Sequence, residues 1–134
     1  MSSILVAFDG SPEAEKALKH SISIAESDDV IMVLMVLPEQ DDLFFSSQTD
    51  EITIEEANEL LKAKKKDLVG TGLKIDTKVI RGNIVDEIIK ASNDPNCKLI
   101  IIGYKGVTKI GRFMLGSVSG EVAKRAKKPV LIVK

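Results

Sequence analysis

The residues in this chain best suited to chemistry are glycines and hydroxyls rather than acids or histidines. Residues 103–119 read GYKGVTKIGRFMLGSVS, with Gly103, Gly106 and Gly116 spaced ahead of Ser117, Val118 and Ser119. The stretch begins where the apolar run Leu99-Ile100-Ile101-Ile102 stops, and a helical pattern starts at Gly116-Ser117. A strand, a glycine-rich loop and a helix start therefore follow one another. A helix N-terminus offers unpaired N–H groups and a partial positive charge. Glycines before it let backbone approach a ligand without a Cβ in the way. Together they predict a phosphate cradle. The plain alternative is a glycine-rich surface turn.

The spacing excludes two familiar cradles. A P-loop needs GxxxxGK[ST]; Gly111 to Gly116 has the first part, but Ser117 stands where the lysine belongs. The dinucleotide fingerprint GxGxxG is absent from the whole chain. What stands here is Gly103-x2-Gly106, then nine residues, then Gly116-Ser117. Other candidates are weaker. His20 is the only histidine and falls among polar helix positions, so it reads as a solvated side chain. Cys97 is the only cysteine, which excludes an internal disulfide and a multi-cysteine metal site. It is expected to pack near the start of a strand. Lys62, Lys64, Lys65 and Lys66 share one amphipathic helix with acids upstream and read as a solvated face, not a nucleic-acid patch.

The elements that must position the loop alternate. Residues 4–8, 30–37, 99–102 and 130–133 are short apolar runs, as expected of strands buried on both faces. Residues 73–80 alternate Leu73, Ile75, Thr77 and Val79 with Lys74, Asp76 and Lys78, which predicts a half-exposed edge strand. Helical spacing links Ala14, Ala17, Leu18, Ile22 and Ala25. It also links Ile54, Ala57, Leu61 and Leu68, then Ile84, Val85, Ile88, Ile89 and Ala91, and finally Val118, Val122 and Ala126. Ser11-Pro12, Thr53 with Glu56, and Asn83 are helix starts by cap chemistry. Five strands alternating with four helices predict one α/β domain over residues 1–134, a parallel sheet with helices on both faces. Ligands on such sheets bind beyond the strand C-terminal ends, at a switch in strand order. Asp9, Val36 and Gly103 follow or end strands, so they are expected to meet on that edge. Residues 39–53 are acidic and aperiodic, with Leu43-Phe44-Phe45 as an apolar tip expected to fold back over the domain.

With 134 residues, the chain has the length of one ordinary domain. Its 19 basic and 20 acidic side chains leave a net charge of −1, so no basic field points to nucleic acid. No signal peptide or membrane span is visible, and the expected location is the cytoplasm.

The glycine spacing resembles the nucleotide loop of the universal stress protein family, in its ATP-binding branch. The likeness extends along the chain. Val6-Ala7-Phe8-Asp9-Gly10-Ser11 resembles the family's first strand and acidic turn, and Arg81-Gly82-Asn83 its third strand exit. Pro129-Val130-Leu131-Ile132-Val133 resembles its closing strand. The resemblance implies a Rossmann-like sheet of order 3-2-1-4-5, of the adenine nucleotide alpha hydrolase type, binding ATP together with Mg2+. It implies that Ala7, Asp9 and Val36 border adenine and ribose, and that Ile102, Gly103 and Gly106 follow the ribose and first phosphate. Gly116, Ser117, Val118 and Ser119 would hold the outer phosphates, with Lys105 or Arg112 adding charge. It also points to a homodimer, for which the apolar strand Val130 to Val133 would be the seam.

Three functional classes follow. The first is an ATP-dependent regulatory module in stress response, the second a slow ATP hydrolase, the third a dimeric scaffold with a vestigial pocket. A true enzyme needs a positioned general base or metal ligand. Asp9 is the only acid near the predicted site, and ribose or magnesium contact explains it equally well. The intact glycine spacing favours the first class.

Overall fold

In the computed structural model, residues 1–39, 53–104 and 115–134 are described, with side chains of the last segment described from Ser117 onward. The elements run β1 (Ser3–Ala7), α1 (Pro12–Ile24), β2 (Val30–Pro38), α2 (Ile54–Asp67), a 3-10 turn (Val69–Thr71), β3 (Lys74–Gly82), α3 (Ile84–Ser92), β4 (Cys97–Gly103), α4 (Leu115–Arg125) and β5 (Val130–Val133). The strands form one sheet in the order β3-β2-β1-β4-β5, and every neighbouring pair is parallel. Parallel neighbours need a crossover, and the helices supply it.

Local chemistry explains where the helices start. Ser11 caps α1, its hydroxyl accepting the Ala14 N–H, and Pro12 occupies the first turn, where a missing N–H costs nothing. Thr53 and Glu56 satisfy each other's N–H groups at the head of α2 as a capping box. Asn83 accepts the Asp86 N–H at the head of α3. Gly72 closes the 3-10 turn at φ 76°, a left-handed conformation natural to glycine.

The strands are apolar on both faces because both faces are covered. On one face Ile4, Val6, Phe8, Ile31, Val33 and Ile75 pack beneath α1 and α2, through Ala14, Ala17, Leu18, Ala57 and Leu61. On the other Leu5, Leu34, Ile100 and Ile102 pack beneath α3 and α4, through Val85, Ile88, Val118 and Val122. Each fully buried aliphatic side chain contributes about 1.5–3 kcal/mol. In α2 the stripe differs from the expectation at one point: Ile54 is 44% exposed, while Leu60 packs against the core. Ile54 is the first residue of the helix, at its open end.

Among the described residues β3 pairs only with β2, through nine residues from Val30↔Lys74 to Pro38↔Gly82. It is the edge strand predicted by its alternation, but it runs on through Arg81 and Gly82. The tip Leu43-Phe44-Phe45 lies outside the described residues.

Candidate functional site

The site follows from the unequal lengths of the three middle strands. β1 is the central strand and ends at Ala7, opposite Leu34 of β2 and Ile102 of β4. β2 continues to Pro38 and β4 to Gly103. A notch is left beyond Ala7, flanked by both neighbours. Strand order also reverses here, since the chain leaves β1 towards β2 on one side and reaches β4 on the other.

Backbone alternation sets what faces the notch. The Leu34 C=O accepts the Phe8 N–H at 2.8 Å, so even-numbered residues of β2 turn their N–H and C=O towards β1. The next such residue is Val36, whose N–H and C=O therefore point past the end of β1. On the other flank the Tyr104 N–H reaches the Val133 C=O at 2.7 Å and the Ile100 N–H reaches Pro129 at 2.9 Å. Even-numbered residues of β4 thus serve β5, and Gly103 turns towards β1 with its C=O past the last rung.

Below these groups lies an apolar cleft of about 70 Å³. Its lining includes Ala7, Asp9, Val36, Ile102, Gly103 and Val118. Six of the residues singled out in the sequence thus meet at one place. The Asp9 carboxylate is the polar side chain at this rim, and its Oδ1 accepts the Ser11 N–H at 2.9 Å. It is thereby tied to the N-terminus of α1. The heads of α3 and α4 stand at the same edge of the sheet.

The remaining candidates fall differently. α4 begins at Leu115, so Gly116 is its second residue and Ser117 its third, with Ser117 exposed. The N–H groups of the first three helical residues, Leu115 to Ser117, have no partner within the helix, whereas the fourth residue of each capped helix, such as Glu15 of α1, already bonds the cap carbonyl. Ser119 is the fifth residue, its N–H is placed for a bond within the helix, and it is only 1% exposed. Gly106, Lys105 and Arg112 lie outside the described residues. Sequence reasoning read Ile84 and Ile88 only as core residues, yet both line the cleft beside Leu34 and Phe8. The available signal was the Asn83 cap, which starts α3 on the same edge of the sheet as Gly103.

Among the described residues, no group of three or more His, Cys, Asp or Glu could hold a metal ion. No helix described is long and apolar enough to cross a membrane. Cys97 is buried at the start of β4, and burial raises its thiol pKa. A larger groove of about 600 Å³ lies between α3 and the β2–β3 part of the sheet, floored by Leu5, Met32, Leu34 and Ile80. It reaches the opposite end of the strands, at Ser2 and Asn96.

A parallel five-stranded sheet with a notch at its switch point defines an α/β protein of the Rossmann-like kind. The chain belongs to the universal stress protein family, whose model matches residues 1–134. It is 34% identical over 137 residues to Universal stress protein MJ0531 of Methanocaldococcus jannaschii, an alignment covering 98% of this chain and 81% of that protein. It is 32% identical to Universal stress protein MJ0577 of the same organism, over 98% of this chain and 93% of that one. A solved universal stress protein in complex with cAMP superimposes with a TM-score of 0.73 at 25% identity, covering 99% of this chain and 97% of the other.

Proposed function

We propose that this chain binds ATP with Mg2+ in the notch beyond β1 and acts as a nucleotide-dependent regulatory module of cytoplasmic stress response, paired with a second copy through β5. The observation that carries this reading is the Val36 backbone pair standing past the end of β1 above an apolar cleft. One N–H beside one C=O complements the acceptor and donor on the hydrogen-bonding edge of adenine. Ala7, Ile102 and Val118 give the base an apolar bed. Asp9 is placed for the ribose hydroxyls or for the magnesium ion that a triphosphate brings. Gly103 and Gly106 follow the ribose and first phosphate, Gly116 to Ser119 hold the outer phosphates, and Arg112 adds charge. Among the last group, the N–H groups of Gly116 and Ser117 have no partner within the helix and are suited to this work, Val118 lies against the base through its side chain, and Ser119 would contribute through its hydroxyl.

Isothermal titration tests the reading, with MgATP, AMP and cAMP as ligands, since a relative is known in complex with cAMP. The expected result is saturable MgATP binding that is lost in Gly116→Val, because the branched side chain occupies space a phosphate oxygen needs. Unchanged affinity in Gly116→Val overturns the loop assignment. Binding of cAMP without binding of ATP overturns the triphosphate reading. ATP released from the purified, denatured protein and identified by mass distinguishes a loaded module from an empty scaffold.

A further inference from the structure

Gly103 carries an observation that ligand approach does not explain. A Cβ built on Gly103 would lie 2.6 Å from the Glu13 carbonyl oxygen, 2.7 Å from its carbonyl carbon and 3.0 Å from its Cβ. Two of these three atoms are backbone and cannot rotate away. They belong to the first turn of α1, which begins at Pro12 and is capped by Ser11. The next carbonyl interaction along this turn, Glu15 N–H to Ser11 C=O at 3.0 Å, is already committed. The end of β4 and the start of α1 are therefore in backbone contact, and only glycine permits it. The turn leading into α1 runs beside α2. A Cβ on Gly10 would stand 3.5 Å from Leu60 of α2, an ordinary contact, and Gly10 itself turns at φ 83°. The Asp9-Gly10-Ser11 turn thus passes beside α2 and leads directly into the helical turn that touches β4, with the Asp9 carboxylate bonded to the Ser11 N–H.

We infer that Gly103 is a positioning residue: it is glycine so that the first turn of α1 can lie directly on the end of β4, and this contact sets the Asp9 turn at the rim of the notch. What the missing Cβ does for binding is exerted through α1, while the Gly103 backbone keeps the place beside the ribose given to it above. The binding part of this inference rests on the nucleotide reading above; the structural part does not.

Gly103→Ala tests it, made in a Gly120→Ala background so that a destabilised protein still folds. Gly120 lies within α4 with nothing within 4 Å of its missing Cβ, so alanine there adds helix propensity without a clash. In nucleotide-free protein, Gly103→Ala should lower the thermal midpoint by about 5–10 °C, the size of shift expected from overpacking a tight backbone contact. Hydrogen exchange should show lost protection at Ala14 and Glu15, with β5 unchanged. An unchanged midpoint with unchanged exchange in α1 overturns the inference, whether or not the chain binds nucleotide. The second arm compares ligands well below the midpoint. Displacing the Asp9 turn should weaken adenosine, AMP and MgATP by the same factor, roughly tenfold for a shift of about 1 Å or less. A loss confined to the phosphorylated ligands makes Gly103 a phosphate-contact glycine, and undiminished affinity makes it a packing residue only; both overturn the positioning role.

Discussion

Asp29 shows how a single charged residue is kept inside this fold. It is 2% exposed, in the connection between α1 and β2. Its Oδ2 accepts the Glu26 N–H at 2.8 Å and the Lys98 ammonium at 2.8 Å. Burial pushes the carboxyl pKa up, but the hydrogen bond from Lys98, the Glu26 N–H and the Lys98 charge outweigh it and hold it below its ordinary value. A carboxyl depressed in the folded state binds its proton more readily when unfolded. Its stabilising contribution is therefore complete above about pH 4, the unfolded value, and fades as pH falls through the lower folded value. Asp29→Asn removes the charge while keeping an oxygen for the Glu26 N–H. The variant should be less stable than wild type by about 1–3 kcal/mol at pH 7. The gap should narrow as the acid limb is descended. Urea unfolding of both proteins at pH 7, 5 and 3 checks this, and a gap that stays constant from pH 7 to pH 3 removes the Asp29 charge from the account.

Elements are tied together at the end of the sheet away from the notch. Lys128, between α4 and β5, donates to the Cys97 C=O at 2.6 Å and the Asp94 C=O at 3.0 Å. Those two carbonyls belong to the turn from α3 into β4, so one ammonium joins two crossovers. Lys128→Met keeps the stem and drops both bonds. It should cost about 1–3 kcal/mol by urea unfolding, the scale of charge-assisted hydrogen bonds, and leave nucleotide affinity unchanged because the notch lies at the other end of β4. Loss of nucleotide affinity without loss of stability would show that the crossover acts on the site instead. The existence and type of the strands β1 to β5 and of the helices α1 to α4 were readable from apolar period and cap residues, though the 3-10 turn Val69–Thr71 was not: Ser11, Thr53 and Asn83 each cap the helix their chemistry predicts. Boundaries were less legible, because they are decided by partners distant in sequence. Arg81 and Gly82 look like a turn locally, yet they stay in β3 opposite Leu37 and Pro38. The glycine spacing located Gly103 but not the Glu13 carbonyl against it, since nothing in local sequence reports a contact across ninety positions. Asp9, Val36 and Gly103 converge as expected because each ends or follows a strand. The parts Ile84 and Ile88 play in the cleft depended on where α3 crosses the sheet.

For the whole molecule, the two sheet edges differ in a way that predicts how copies associate. β3 presents Lys74 and Lys78 exposed, with Asp76 between them, and charged side chains of this kind discourage pairing. β5 has the uniformly apolar sequence Val130-Leu131-Ile132-Val133, every residue only half-buried, and among the described residues it pairs with β4 alone. Its side chains are already engaged, Leu131 and Val133 on one core layer and Val130 and Ile132 on the other. The open feature is backbone. Pro129 and Val133 give their C=O groups to β4, so the alternation turns the N–H and C=O of Val130 and Ile132 outward. Two copies pairing antiparallel about a two-fold axis would satisfy those groups reciprocally and extend the sheet across both protomers. The notch beyond β1 would then lie two strands, β4 and β5, from the seam, close enough for nucleotide to stiffen site and dimer together. Light scattering should report a dimer. Leu131→Lys would shift it towards monomer but would also strip a core contact, so Val130→Pro is the cleaner probe. It removes one outward N–H at the first residue of an edge strand, a position where proline is tolerated. The expected result is a folded protein with near-native thermal stability as a monomer and at least tenfold weaker dimerisation, as loss of about 1.4 kcal/mol or more from the seam requires. A wild-type chain that stays monomeric at high concentration, with and without MgATP, rules out this seam, and a Val130→Pro protein that dimerises as tightly as wild type places the interface elsewhere.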